Sequence, residues 1–159
     1  MNTEDLKQLI KDGLAAQQAG SKVAAAATAE IQNDVKNPEL KAALEEGNNT
    51  AEEWAKRIER AIQEAGSAPE QKNEILEAHF RVSKEIRAKA KGDDVRDLGI
   101  ITSGQLALHY WIASFGTIAS YAEAAGLPQT AQAMKSSADE AKQADDKHTA
   151  IAKQILAAK

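Results

Sequence analysis

The sequence contains no cysteine, only three prolines among 159 residues, and aromatic side chains at 4%. The lack of cysteine excludes disulfides and thiolate metal sites, although a cysteine-free chain suits any compartment. Proline is scarce and no run of residues alternates convincingly at period two, so strands have no clear signature. Basic residues are also in deficit. Twenty Lys and Arg against 24 Asp and Glu give a net charge of −4, with no basic stripe or tail of the kind a nucleic-acid binder carries. No stretch is long and apolar enough to span a bilayer, and no cationic region precedes an apolar one as in a secretory signal. These absences lead us to expect a cytoplasmic protein that engages neither nucleic acid nor membrane. The 43% hydrophobic content is mostly Ala, Ile and Leu, which favours closely packed helices. The length suits a single all-α domain, residues 1–159, with one substantial core.

Punctuation divides the chain into five predicted helices, over about 5–35, 38–65, 70–91, 95–125 and 128–157. Asn37-Pro38-Glu39 reads as a cap, a proline at the first helical position and an acid in the first turn. Gly66 and Gly126 read as helix ends. Ser67-Ala68-Pro69 is expected to restart a shorter helix closed by Gly92, and Asp93 or Asp94 to cap the next one. The very short connections near Lys36–Asn37 and Gly126–Leu127 force antiparallel neighbours. Two long hairpins bridged by a shorter middle helix form the ferritin-like kind of four-helix bundle. An up-down-up-down bundle would instead need the middle helix as a full member.

The segment from Val95 to Gly126 is apolar almost all the way round. Ile100, Gly104, Leu108, Trp111, Phe115, Ile118 and Ala122 recur on one face, and Leu98, Ile101, Ile112 and Ala119 on the next. Such a helix is expected inside an assembly rather than on its surface. Gly99, Gly104 and Gly116 each cost roughly 1 kcal/mol relative to Ala in a helix. Either close helix approach or a self-association face would account for them.

Val95-Arg96-Asp97, Gln105, His109-Tyr110 and Ile112-Ala113-Ser114-Phe115-Gly116-Thr117 resemble the fourth helix of the YciE/YciF family of ferritin-like bacterial stress proteins. Asn37–Glu46 resembles the start of that family's second helix, and Asp139–Lys142 with Asp145–Lys147 its fifth. The family is similar to rubrerythrin-type di-iron proteins, whose inward carboxylates hold the metals. Aligned with the family, this chain has other residues at those places. The first-helix Glu falls at Ser21. The second-helix His and Glu fall at Gly47 and Asn49–Thr50. The glutamates flanking His-Tyr fall at Leu108 and Trp111, and the fifth-helix Glu at Ala141. The resemblance thus implies a degenerate di-iron site at Ser21, Thr50, Leu108, Trp111 and Ala141, with no cofactor and no catalytic residue. Trp111 and Trp54 are expected to refill the volume.

Three polar candidates remain. Asp145-x-x-His148 has ligand spacing on one helical face, and hairpin symmetry puts His109 near the level of Asp145. The plainer reading is a histidine hydrogen-bonded within a packed core. His79, beside Glu77, reads as a surface residue. No nucleophile elbow or phosphate-cradling loop is evident. The expected function is therefore non-enzymatic: a stress-associated scaffold or interaction protein, homodimeric by the same resemblance, with its protein partner unspecified. A residual metal-binding protein using His109 with Asp145 or His148 is the alternative. A binder of a small apolar ligand in the vacated core is a third.

Overall fold

The computed structural model describes residues 2–158. Five helices follow in order: α1 (Thr3–Asp34), α2 (Pro38–Ala65), α3 (Glu74–Lys89), α4 (Asp93–Ala124) and α5 (Pro128–Ala157). No strand occurs among the described residues.

The helix ends follow from local chemistry, with two corrections to the sequence reading. Asn37 caps α2, its Oδ1 accepting the N–H groups of Glu39 and Leu40 at 3.0 Å each. Gly66 ends that helix at φ 104°, and Gly126 follows α4 at φ 73°, a region that glycine enters without a Cβ penalty. The first correction concerns α3, which starts at Glu74 rather than at residue 70, so Pro69 does not open it. Asn73 is the cap: its Oδ1 accepts from Leu76 N while its Nδ2 donates to the Ala16 carbonyl and the Tyr110 hydroxyl. Extending the helix through residues 70–73 would pull Asn73 off all three. The second correction concerns α4, whose cap is Gly92, with no side-chain cap bond. Asp93 and Asp94 lie within its first turn, where their charge complements the helix dipole.

Hydrogen bonds give the directions of the helices. α2 and α5 run antiparallel, with Glu64 meeting Thr130, Arg57 meeting Ser137, and Lys147 meeting Glu46. α4 and α5 do the same through Gln105–Thr149 and His109–Asp145. α1 lies antiparallel to α4, with Gln17 Nε2 3.0 Å from Ser114 Oγ. Each of the four long helices therefore packs against two others: α1 on α2 and α4, and α5 on α2 and α4. The shorter α3 lies against α1 and α4.

Two apolar clusters fill the interior. One contains Ile10, Leu14, Trp54, Ile58, Trp111, Phe115, Met134 and Ala141; the other contains Ile31, Val35, Leu40, Ile100, Ile101, Ile151 and Ile155. Phe80 of α3 packs against both. Each large side chain buried in this way contributes about 1.5–3 kcal/mol. Close approach is built in at Gly20, where an added Cβ would fall 2.7 Å from Asn73 Nδ2, 2.9 Å from Leu76 and 3.2 Å from Trp111. The α4 glycines divide in the same terms. Gly99 admits Ile86 and Gly104 admits the His148 ring, whereas Gly116 meets nothing within 4 Å. Helix α4 is less enclosed than its composition implies. Leu106 and His109 are exposed along it, because α1, α3 and α5 leave one stripe uncovered.

Candidate functional site

The centre of the molecule is an aromatic cluster. Trp111 stacks on Phe115 with centroids 5.1 Å apart, and Trp54 meets Phe115 edge-on at 5.2 Å. Trp54 and Trp111 are 6.1 Å apart, and Tyr110 adds an edge-on contact to Trp111 at 5.3 Å. These are the tilted and offset geometries that ring quadrupoles favour. The periodicity of the chain supplies them: Trp111 and Phe115 are one turn apart on α4, and Trp54 faces them from α2.

A polar belt borders this cluster. Glu140 accepts the Trp54 indole N–H at 2.7 Å and both arms of the Arg57 guanidinium at 2.7 and 2.9 Å. Arg57 also reaches Ser137 Oγ at 3.1 Å. The Arg57 hydrogen bonds hold the Glu140 carboxyl below its ordinary value; burial opposes them, and the Trp54 bond adds to them. One end of α5 is finished by a side chain from α2. Glu64 accepts the N–H groups of Gln129 and Thr130 and the Thr130 hydroxyl. Burial works against the charge of Glu64, but these bonds together keep its carboxyl below the ordinary range.

Of the five aligned positions, Ala141 is fully buried and Trp111 is 5% exposed, both within the aromatic cluster. Leu108 packs against that cluster from a half-buried position. Ser21 and Thr50 are half-buried, and the Thr50 hydroxyl is turned onto the Glu46 carbonyl of its own helix.

The polar candidates do not assemble as one set. His109 lies outside the core with its side chain 67% exposed, and its Nε2 donates to Asp145 Oδ2 at 3.2 Å. Asp145 Oδ1 is buried without a partner. His148 is buried, but its Nδ1 donates to the Ala144 carbonyl at 2.7 Å, which faces the ring toward Gly104. Among the described residues, no three of His, Asp and Glu gather as a metal-binding group. His79 is not the surface residue that its neighbours imply. It is half-buried against Phe80, and its Nε2 is enclosed with no partner.

Sequence reasoning missed Arg57, Asn73, Glu140 and Asp97. Asp97 is buried and accepts the N–H groups of Lys36 and Asn37 at 3.1 and 2.6 Å, tying α4 to the α1–α2 turn. The one available signal was its place within an otherwise apolar face of α4. Two grooves, of about 410 and 390 Å³, flank the segment leading into α3. Neither is lined by Ser21, Thr50, Leu108 or Trp111. No described helix is long and apolar enough to cross a membrane.

With this geometry in hand, comparison with known proteins is decisive on one point. The model of a domain family of unknown function, DUF892, matches residues 4–159. The chain belongs to this family. Among known proteins, the chain is similar to Protein YciF of Escherichia coli strain K12, at 34% identity over 77 residues. That match spans 48% of this chain and 46% of YciF, just under half the length of the relative. The crystal structure of the E. coli stress protein YciF superposes with a TM-score of 0.91 at 24% identity, covering 100% of this chain and 99% of the other. YcfI from Rhodopseudomonas palustris superposes with a TM-score of 0.79 at 21% identity over 94% of each chain. At these identities the structures share the fold. The family resemblance read from Val95-Arg96-Asp97 and His109-Tyr110 therefore stands: this DUF892 member is YciF-like in sequence over about half of its length and shares the YciF fold throughout.

Proposed function

We propose that this protein is a non-enzymatic, stress-associated scaffold or interaction protein. In this reading it is a single ferritin-like domain over residues 1–159 that has lost its di-iron centre and works as a cytoplasmic homodimer. The packing of α1, α2, α4 and α5, each against two of the others and with α3 outside them, supports the ferritin-like bundle. The stress association rests on YciF, which is described as a stress protein.

The observation that carries the reading is the chemistry of the centre. A di-metal site in such a bundle takes about four inward carboxylates. Here Trp111 and Ala141 pack with Trp54 and Phe115. The carboxylate that reaches Trp54, Glu140, already has its counter-charge in Arg57. These residues do not fit a pair of metal ions. A carboxylate left in the same place without a cation would cost several kcal/mol.

Exposed apolar residues support the homodimer. Ile75, Val82 and Ile86 lie on one outward face of α3, and Val95 and Leu106 are exposed on the adjoining α4. Ile86 touches the helix at Gly99, between those two. Exposed apolar residues on two adjoining helices are the material of such an interaction face.

Elemental analysis of protein purified without chelator or affinity tag tests the central claim. Iron, manganese and zinc well below one equivalent per chain are expected. Two equivalents of iron or manganese would overturn it. The 3.2 Å separation of His109 and Asp145 favours a second reading, a single residual metal on the α4–α5 seam. One equivalent that disappears in His109→Ala would establish that reading. Neither of the two grooves beside α3 is lined by Trp111, so neither favours the apolar-ligand reading.

A further inference from the structure

We propose that His79 makes α3 a pH-sensitive latch: protonation of its imidazole loosens α3 from α1 and α4 while the four long helices stay folded.

Helix α3 is held at both ends. At its start, Asn73 is bonded to α1 and α4. Near its end, Arg87 pairs with Glu30 and Asp34 of α1, both at 3.0 Å. Between these clamps the inward positions are Leu76, Phe80 and Ser83, with His79 beside them. Leu76 is fully buried and apolar, but Ser83 is 1% exposed with its hydroxyl unpartnered, and His79 Nε2 is enclosed and unpartnered as well. The middle of α3 therefore joins the molecule through Leu76 and Phe80 but leaves two polar atoms of the same seam, Ser83 Oγ and His79 Nε2, unmet. Segments of this kind open locally before the rest of a fold.

The surroundings of His79 decide what a proton does there. Neutral imidazole tolerates an unbonded ring nitrogen as an unused acceptor. Imidazolium must donate from both nitrogens, and apart from the Ser103 backbone nothing offsets the burial of its charge, so the protonated ring is short of partners. No facing element supplies an acid. On α4, the stretch from Leu98 to Ala122 contains no Asp, Glu, Lys or Arg, and its titratable members are His109, Tyr110 and Tyr121. His109 is paired with Asp145, and the Tyr110 hydroxyl is taken by Asn73. On α1, residues 23–29 are likewise uncharged, bracketed by exposed Lys22 and by Glu30, which is engaged by Lys84 and Arg87. On α3 itself, Glu74, Glu77 and Arg81 are exposed. The ring is in accord with this environment: burial pushes its pKa below 6.5, with the Ser103 backbone pulling weakly the other way.

The sign follows. A detached α3 returns His79 to water and to its ordinary value of 6.5, so the open form binds more protons than the closed one. The closed form is favoured fully above that value. It loses ground as pH falls through it and continues to do so down to the lower value of the buried ring. Acid thus loosens α3 and uncovers the side of the central apolar cluster that Leu76 and Phe80 cover.

Hydrogen–deuterium exchange on the full chain between pH 7.5 and 5, corrected for intrinsic exchange rates, tests the latch. Below about pH 6.5, exchange in peptides covering 74–89 should rise by up to roughly tenfold per pH unit. Peptides from α2 and α5 should stay flat. In His79→Gln and His79→Leu the rise should vanish, whereas in His109→Gln and His148→Gln it should persist. An unchanged rise in both His79 variants, or a flat α3 in the native chain down to pH 5, would overturn the proposal. Should the variants fail to fold, NMR titration of the native His79 ring decides: a midpoint at or above 6.5 removes the driving force.

Discussion

Glu140 receives both arms of Arg57 across the α2–α5 interface, and the same carboxylate takes up the Trp54 indole N–H. One side chain therefore ties the polar belt to the aromatic centre. Glu140→Ala should cost about 1–3 kcal/mol, the usual range for hydrogen bonds to a charged group, measured by urea unfolding at pH 7. Because the Glu140 carboxyl is held below its ordinary value of 4.5, this contribution is complete above that value. It is lost as pH falls through the lower folded value. The native chain and Glu140→Ala should therefore converge in stability in acid.

Trp111 is the test of the centre. Trp111→Ala should destabilise by about 3–5 kcal/mol, as removal of a large buried aromatic does. Placing glutamate at Ser21, Thr50, Leu108, Trp111 and Ala141 together should destabilise further, since the new carboxylates lack partners. Added ferrous or manganous ion should recover part of the loss, because a ligand of the folded state alone stabilises it. Thermal unfolding with and without metal reads the difference. Loss without recovery would count against either the alignment or the ferritin-like packing.

Glycines separate close approach from mere tolerance. Gly20→Ala drives a Cβ into Asn73 and Leu76 and should cost about 1–3 kcal/mol, the usual price of overpacking. Gly47→Ala and Gly116→Ala meet nothing within 4 Å and should each stabilise by about 0.5–1 kcal/mol through helix propensity. Urea midpoints of the three variants should fall on opposite sides of the native value.

The α3 face can be tested without touching the core. Val82 and Ile86 are exposed in the single chain. Val82→Glu with Ile86→Glu should leave the helical circular dichroism unchanged and convert a dimer to a monomer by light scattering. A dimer that survives both changes would place the interface elsewhere.

The long helices were legible because their signals are local. Asn37-Pro38 and the two turn glycines act within a few residues, and Trp111 and Phe115 announce their shared face by spacing alone. The start of α3 was not legible. Asn73 is fixed there by Ala16 and Tyr110, partners distant in sequence, so the proline four residues earlier gave the stronger local cue. The burial of His148 could be read from its stripe, but its facing toward Gly104, with Nδ1 bonded to the Ala144 carbonyl, depends on a rotamer. His109 sits at the level of Asp145 as hairpin symmetry implies, yet on the outer side of the seam. Level follows from counting residues, whereas facing depends on how neighbouring helices are rotated. The charge pairing of Arg57 with Glu140 crosses between the two hairpins, and no periodicity within either hairpin encodes it.

Helix α2 is fastened to the second hairpin at both of its ends: at its start through Asn37 and Asp97, and near its close through Glu64 and Thr130. The segment between residues 67 and 72 therefore carries the chain from the first hairpin into α3 without being what keeps the two hairpins together. The halves before and after it are bound by contacts that survive a cut in that segment, so the molecule is one cooperative unit by its interfaces rather than by its covalent thread. During folding, these fastenings join residues some sixty apart and incur the loop-closure entropy of such separations. Docking of the two hairpins carries that cost in addition to the cost of forming either one.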